Sequence, residues 1–537
     1  MNNLFIIALQ TPALAGTVDT SWLHIIFAAI PVVLHIVLMG FLKMAGDKSA
    51  LLTLFVAILI AIFGFGFQMS DTGLAVIYGV LKAIFPILII IIMAIFSYNV
   101  LVHTGKMEIL KEQFSSISSD KCVQVLLLTW GFGSLLEGMA GFGTAVAIPA
   151  AILISLGFTP LFSAVTSLIA NSVATAFGAV GTPVKVLSEQ AGISDIQTLS
   201  SHVVLQLSPL MFLIPFVLVF MTDPRVKSIP KHILMSAVVG GVSLATQYIA
   251  AIYMGAETPA IVGSLASIVT IIIYAKLTRT KEDKELKSKF PKRSTREILN
   301  AWSVYAIILF LVVLTSPLLP IKNILEPILT AKLSFDIFDV TSGLVKARIV
   351  KASLIDAGVL LFVGSIIGGL IQGARIGDLF KLLWKVFKLQ KKTIITVSCL
   401  IALSSVMDFS GMITVLGTAL ALATGSLYPL FAPAIGCLGT FLTGSDTSSN
   451  ILFGKLQSSV AHQIGVDPSW LAAANTTGAT GGKIISPQSI AVATSACGQQ
   501  GQEGEIMKKA LPFALGYIVI AGLIVYFIPR IMGAIIF

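Results

Sequence analysis

Charge is what this sequence lacks most. Only 11% of its 537 residues are Asp, Glu, Lys or Arg, against about 25% in soluble domains. With 56% hydrophobic residues and a mean hydropathy of +0.96, this scarcity excludes a soluble enzyme. Cysteine is also scarce. Cys122, Cys399, Cys437 and Cys497 stand far apart in apolar surroundings, without a C-x-x-C pair or metal-ligand spacing. They read as small buried hydrophobes, so no metal and no other cofactor is expected. The sequence carries no G-x-G-D, H-E-x-x-H or G-x-S-x-G, the residues around which hydrolases build nucleophiles and metal sites. The net charge of +10 gathers in short loops and not on a foldable basic domain, which excludes a nucleic-acid partner. The first 21 residues contain no Lys or Arg. MNNLFIIALQTPALAG therefore lacks the basic start of a signal peptide and reads as an ordinary N-terminal lead.

What the chain has in quantity is long apolar runs. Spans of about 20 apolar residues fall near 22–42, 50–67, 80–102, 160–180, 203–221, 232–251, 258–277, 300–317, 354–373, 429–444 and 512–535. The expected architecture is an all-α polytopic membrane protein with about 11–14 transmembrane segments, forming a single integral membrane domain over 1–537. Membrane lipid is its solvent and partner. The loop 276–297 carries nine basic residues and 223–231 carries Arg225, Lys227 and Lys231. Both belong on the cytoplasmic side. Counting back from them puts 103–121 and 43–49 inside and the N-terminus outside.

Two regions do not read as simple spans. Segments 122–157 and 393–426 are apolar but broken midway by an acid and glycine, at Glu137-Gly138 and at Asp408 with Gly411. Each follows an amphipathic stretch, 103–114 or 374–387, and each precedes a Pro-Leu-Phe, at 160–162 or 429–431. These offsets point to two internal repeats, each with a broken helix or re-entrant hairpin. Their cores would cover 80–230 (hairpin 122–157) and 351–500 (hairpin 393–426). In transporters, interrupted segments at corresponding positions point to a midplane binding site. The six basic residues in 374–392 place that segment inside, where an inverted repeat would place it outside. A re-entrant segment within 318–353 would reconcile the two.

The polar residues inside these runs are the candidate chemistry. A carboxylate in hydrocarbon costs roughly 2.5–3.5 kcal/mol on insertion scales, and Glu137 sits among Gly131, Gly133, Gly138, Gly141 and Gly143. A buried carboxyl of this kind can load and release a proton, which makes Glu137 and Asp408 the candidate proton carriers. Gly138, Gly141, Gly143 and Thr144 would form a hairpin tip. Gly444 through Asn450 reads GSDTSSN, so Ser445, Asp446, Thr447, Ser448 and Asn450 would cap a half-helix whose N–H groups face an anion. Asn171 and Thr182 stand in the matching polar patch of the first half. The run 475–491, NTTGATGGKIISPQSIA, fails as a phosphate loop, because Ile484 stands where Ser or Thr is required and Thr477 where the first glycine belongs. It reads instead as a broken helix with Lys483 near a carboxylate ligand. Lys185 and Arg348 also could pair with an anion, although such residues more often snorkel at span ends.

These motifs together resemble the bacterial lactate permease family. Glu137-Gly138-x-Ala140-Gly141-Phe142-Gly143, Gly178-Ala179-x-Gly181-x-Pro183, Gly444–Asn450 and the late Asn475–Gly478 with Gly482–Ala491 match that family's stretches. The resemblance implies a plasma-membrane symporter of L-lactate, D-lactate and glycolate driven by protons, on an ion-transporter-like fold. The lactate carboxylate would sit at half-helix N-termini near 138–144 and 445–450, with its 2-hydroxyl on Asn171, Thr447 or Asn450. Sodium coupling is the main alternative, because the GSDTSSN oxygens suit a cation as well. An anion channel and an intramembrane hydrolase are the alternatives from other classes. Oligomeric state is open, a homodimer included.

Overall fold

The computed structural model describes residues 21–536 apart from Lys43, Phe142, Lys289, Leu318, Pro320, Gln500 and Gly501. The expected N-terminal lead lies outside the described residues. Helices α1 (Trp22–Ile36), α2 (Gly46–Phe65), α3 (Met69–Lys82) and α4 (Ile89–His103) open the fold. Helices α5 (Lys121–Met139) and α6 (Thr144–Ser155) follow, then α7 (Pro160–Thr175) and α8 (Gly178–Ala191). Helices α9 (Ile196–Thr222), α10 (Ile229–Met254), α11 (Pro259–Leu277) and α12 (Thr295–Leu314) complete the first half. After strands β1 (Thr330–Asp339) and β2 (Leu344–Ser353) come α13 (Ala357–Ile371), α14 (Ile376–Leu389), α15 (Lys391–Phe409) and α16 (Met412–Thr424). The chain ends with α17 (Tyr428–Thr443), α18 (Asp446–Ile464), α19 (Pro468–Lys483), α20 (Pro487–Cys497) and α21 (Glu503–Ile536). Among the described residues, 11 helices are long and apolar enough to cross a membrane, or 12 if the bent pair α7–α8 counts as one span.

Local sequence chemistry sets these boundaries. Thr159-Pro160, Asp467-Pro468 and Ser486-Pro487 each put a capping side chain before a proline at the first helical position. There the missing N–H of proline costs nothing. Ser445 caps α18 in the same way, accepting from Ser448 N at 3.2 Å. Gly192, Gly444 and Gly465 close helices in the left-handed conformation that glycine adopts without strain.

Within 122–157, α5 and α6 pack on each other across a break at 140–143. Where α5 passes α6, a Cβ on Gly133 would lie 3.2 Å from the Ala145 carbonyl and 3.3 Å from Pro149. The second segment breaks between α15 and α16 at Ser410-Gly411, and α16 packs chiefly on α18 and α1. The expected simple span 160–180 is a broken one. It bends by 49° between α7 and α8.

Among the described residues of 318–353 there is no re-entrant segment. A short helix, Ile321–Leu329, leads into a two-stranded antiparallel ribbon running from Thr330 opposite Ser353 to Asp339 opposite Leu344. Its alternation places Lys332, Asp336, Lys346, Arg348 and Lys351 along the strands, too much charge for membrane depth. The ribbon docks on the bundle: Phe338 N donates to Asp71 Oδ1 at 3.3 Å and Val340 N to the Phe409 carbonyl at 2.9 Å.

Helices α17 and α19 cross with backbones touching. A Cβ on Gly478 would overlap the Pro433 carbonyl, and one on Gly482 the Cys437 carbonyl. Small residues permit such approaches between membrane helices. These glycines of the late motif are therefore packing surfaces of α19, and the expected break in 475–491 falls after Lys483, before α20 begins at Pro487.

Candidate functional site

A cavity of about 790 Å³ lies where the broken helices meet. Its inner wall is built from helix ends. The N-terminus of α6 contributes Gly143, α18 contributes Ser445 and Asp446, and α20 contributes Pro487, Gln488 and Ser489. First-turn N–H groups have no intrahelical acceptor, so three helix starts aim donors and positive dipole ends at one space. The start of α8 adds a left-handed turn. Ala179 and Val180 have φ of 44° and 54°, and Gly181 follows at 74°. Left-handed backbone at two residues with a Cβ costs roughly 1–3 kcal/mol each and clusters at functional sites.

Two carboxylates face this space. Glu137 is 4% exposed and Asp446 3%. The Glu137 carboxyl rests against the turn, and a Cβ on Gly178 would lie 2.7 Å from its Oε1. Its Oε2 has no hydrogen-bond partner. Asp446 Oδ1 accepts from Thr440 Oγ1 at 3.2 Å, while Oδ2 also has no partner. Lys483, at the end of α19, lines the same cavity and donates to the Gly444 carbonyl at 2.9 Å. It lies within electrostatic range of both carboxyls. The cavity also reaches the starts of α2 and α15, where Met39, Met44, Asp47, Lys392 and Thr396 line it.

Of the residues expected to form the site, the cavity gathers Glu137, Gly141, Gly143, Ser445, Asp446, Thr447, Ser448 and Lys483. The others stand behind its wall. Gly138 packs on Ala260 and Ile261. Thr144 and Thr182 turn their hydroxyls back to the carbonyls of Gly141 and Ala179, at 2.9 and 2.6 Å. Asn171 sits beside Glu137, yet both its amide atoms lack a well-formed hydrogen bond. Asn450 is fully committed. It donates to the Pro183 carbonyl at 3.0 Å and to Thr476 Oγ1 at 2.7 Å, and it accepts from Asn475 Nδ2 at 2.9 Å. It braces the α8 turn and does not line the cavity. Asp408 lies in a different, smaller cavity, 3.6 Å from Lys455.

Sequence reasoning missed Thr175, Gln488 and Ser489, which line the large cavity. For the last two the signal was present in Ser486-Pro487, a helix start within the late motif.

The family model described as L-lactate permease matches residues 24–532. The chain is 38% identical over 449 residues to the L-lactate permease of Streptococcus iniae, covering 83% of this chain and 93% of that one. It is 35% identical over 535 residues to the glycolate permease GlcA of Escherichia coli, covering 94% and 95%. It is 33% identical over 519 residues to an L-lactate permease of Halalkalibacterium halodurans, covering 93% and 95%. With its membrane-crossing helices and a cavity walled by broken ones, the chain belongs to the L-lactate permease family and is a multi-pass transporter of the cell membrane.

Proposed function

We propose that the chain carries L-lactate, and related 2-hydroxymonocarboxylates such as D-lactate and glycolate, across the plasma membrane together with protons. The observation that carries this reading is the charge count of the large cavity. Two buried carboxylates, Glu137 and Asp446, each with an unpartnered oxygen, share Lys483, while Asp47 and Lys392 farther along the cavity add one charge of each sign. An anionic substrate would bring the site to a net charge of −2, and uncompensated charge at low dielectric is costly. A proton taken up with each substrate removes part of that cost. Substrate and proton then bind more favourably together than separately, which is the thermodynamic content of symport.

Each group has a role. The carboxylate docks on Lys483 and the helix starts of α6, α18 and α20. The 2-hydroxyl bonds to Thr447, Ser448, Gln488 or Ser489, which line the cavity in place of the committed Asn450. Glu137 takes the proton, because it is buried, its Oε2 has no hydrogen-bond partner, and a protonated carboxyl can donate to the unmatched Oδ1 of the neighbouring Asn171. The names of the relatives, L-lactate and glycolate permeases, support a small 2-hydroxy acid. We read the regions 80–230 and 351–500 as two related halves that contribute one broken segment each to this cavity.

Radiolabelled L-lactate uptake into proteoliposomes tests the reading. An inward proton gradient should drive saturable accumulation at fixed sodium. Accumulation that follows a sodium gradient and ignores pH would replace the proton by Na⁺, and flux without saturation would indicate a channel.

A further inference from the structure

The second cavity, of about 60 Å³, lies at the other end of the same helices. Helix α8 runs from Gly178 in the large cavity to Glu189 in the small one, and α18 from Asp446 to Lys455. At 1.5 Å per residue these segments put the small cavity roughly 14–16 Å beyond the large one. Helix α15 spans the same interval, from Val397 in the large cavity to Asp408 in the small one. The small cavity therefore lies toward the opposite end of α15 from Lys392. Helix α12 separates the basic loop 276–297 from the ribbon that covers this cavity, so the ribbon side is external by the distribution of positive charge.

Its lining has an excess of donors. Lys82, Arg348 and Lys455 face only two carboxylates, Glu189 and Asp408. Lys455 pairs with Asp408 at 3.6 Å, and Lys82 donates to the Glu189 main-chain carbonyl at 3.2 Å. The Arg348 guanidinium lies over the Phe409 ring at 5.3 Å. Gln190 is 7% exposed and accepts from Ser404 Oγ through its Oε1, while its Nε2 donor has no acceptor. A buried amide donor left unmatched beside surplus cations asks for an acceptor that carries negative charge.

We propose that this cavity is a second binding station for the substrate carboxylate, on the external approach to the large cavity. Arg348 and Lys455 receive the carboxylate, Gln190 Nε2 supplies a neutral hydrogen bond, and Asp408 is the internal competitor that holds Lys455 when no substrate is present. The station rests on the reading of the protein as a carboxylate carrier. It gives the sign-reversed counterpart of the large cavity: a net positive collar that captures an anion before the net negative cavity takes it together with a proton.

The test combines transport with binding. If the wild type shows no saturable L-lactate uptake, the carrier reading fails and the station falls with it. Given wild-type uptake, Arg348→Gln and Lys455→Gln should lower kcat/KM about tenfold, the factor expected for one lost charge-assisted hydrogen bond. The dissociation constant of lactate measured by equilibrium dialysis, set by the large cavity, should stay within about twofold. Asp408→Asn, which removes the competitor, should raise kcat/KM. Arg348→Lys keeps the charge and should retain most of the activity. The proposal is overturned if the dissociation constant weakens in parallel with kcat/KM. It is also overturned if Asp408→Asn lowers kcat/KM as the cation variants do, since the cluster would then be a structural ion network.

Discussion

The two cavities are strung along α8, α15 and α18, yet they treat charge in opposite ways. The inner wall of the large one gathers two buried carboxylates with unpartnered oxygens, Lys483 and three helix starts, with Asp47 and Lys392 farther along adding one charge of each sign. The small one is richer in cations than in carboxylates, and its Asp408 is already paired with Lys455. The difference teaches what makes an intramembrane acid useful. An acid paired at rest holds a cation until another anion competes for it, whereas an acid with an uncommitted oxygen can accept a proton as substrate arrives.

The comparison breaks most readily at Glu137. In proteoliposomes a one-unit pH gradient should give about a tenfold lactate accumulation ratio, because each unit is worth about 1.4 kcal/mol. Glu137→Gln should bring that ratio to about 1 while leaving lactate–lactate exchange. Asp408→Asn should keep accumulation, which marks the division of labour between the cavities. Lys483→Gln should raise the lactate KM by about 10–100-fold, as loss of a charged partner costs roughly 1.5–3 kcal/mol.

Gly178→Ala sharpens the comparison by geometry. The added methyl would stand 2.7 Å from Glu137 Oε1. The carboxyl must move, and transport should fall about tenfold, the scale on which small misplacement acts, with the protein still present in the membrane. Stability gives a smaller contrast. Asn475→Ala leaves Asn450 Oδ1 without its donor and should cost about 1–3 kcal/mol, read as earlier thermal unfolding in detergent. Lys455→Gln, at a half-buried pair, should cost less than about 1 kcal/mol.

The smallest expected effect is a control on pH. Asp283 clasps the loop after α11 to the start of α5. It accepts from Ser119 N at 2.6 Å and Thr280 N at 2.7 Å, and from their hydroxyls. Burial opposes its charge, but these hydrogen bonds outweigh burial and bring its pKa from 3.8 down to about 2. A carboxyl depressed on folding stabilises above its unfolded pKa, and that contribution is lost as pH falls towards 2. Asp283→Asn should therefore lower thermal stability equally at pH 5 and pH 7. A pH dependence of transport in that window arises elsewhere.

Much of this was legible in the sequence because membranes restrict backbone so strongly. Apolar runs mark the helices, and an acid or polar cluster inside one marks the site. Glu137, Ser445, Asp446 and Lys483 were recognisable on that ground. What the sequence obscures is which way a polar side chain turns. Asn450 and Asp446 share one motif, yet Asp446 faces the cavity and Asn450 bonds Pro183, Thr476 and Asn475. The run 475–491 is broken at Ile484–Ser486, yet Gly478 and Gly482 within it serve packing and allow α17 to approach α19. The ribbon at 330–353 was hidden because its alternation is short and interrupted by charge. With it went the surroundings of Arg348, whose neighbours come from α3, α8, α15 and α18 and share no local sequence with it.

The central claim is that the large cavity takes an anion and a proton as one event. The most direct measurement is proton uptake on substrate binding, read with a pH indicator when L-lactate is added to the purified protein in weakly buffered detergent. The wild type should take up a proton with the lactate, independently of Na⁺, and Glu137→Gln should bind lactate with none. Saturable lactate binding by the wild type without any change in proton content would contradict the account.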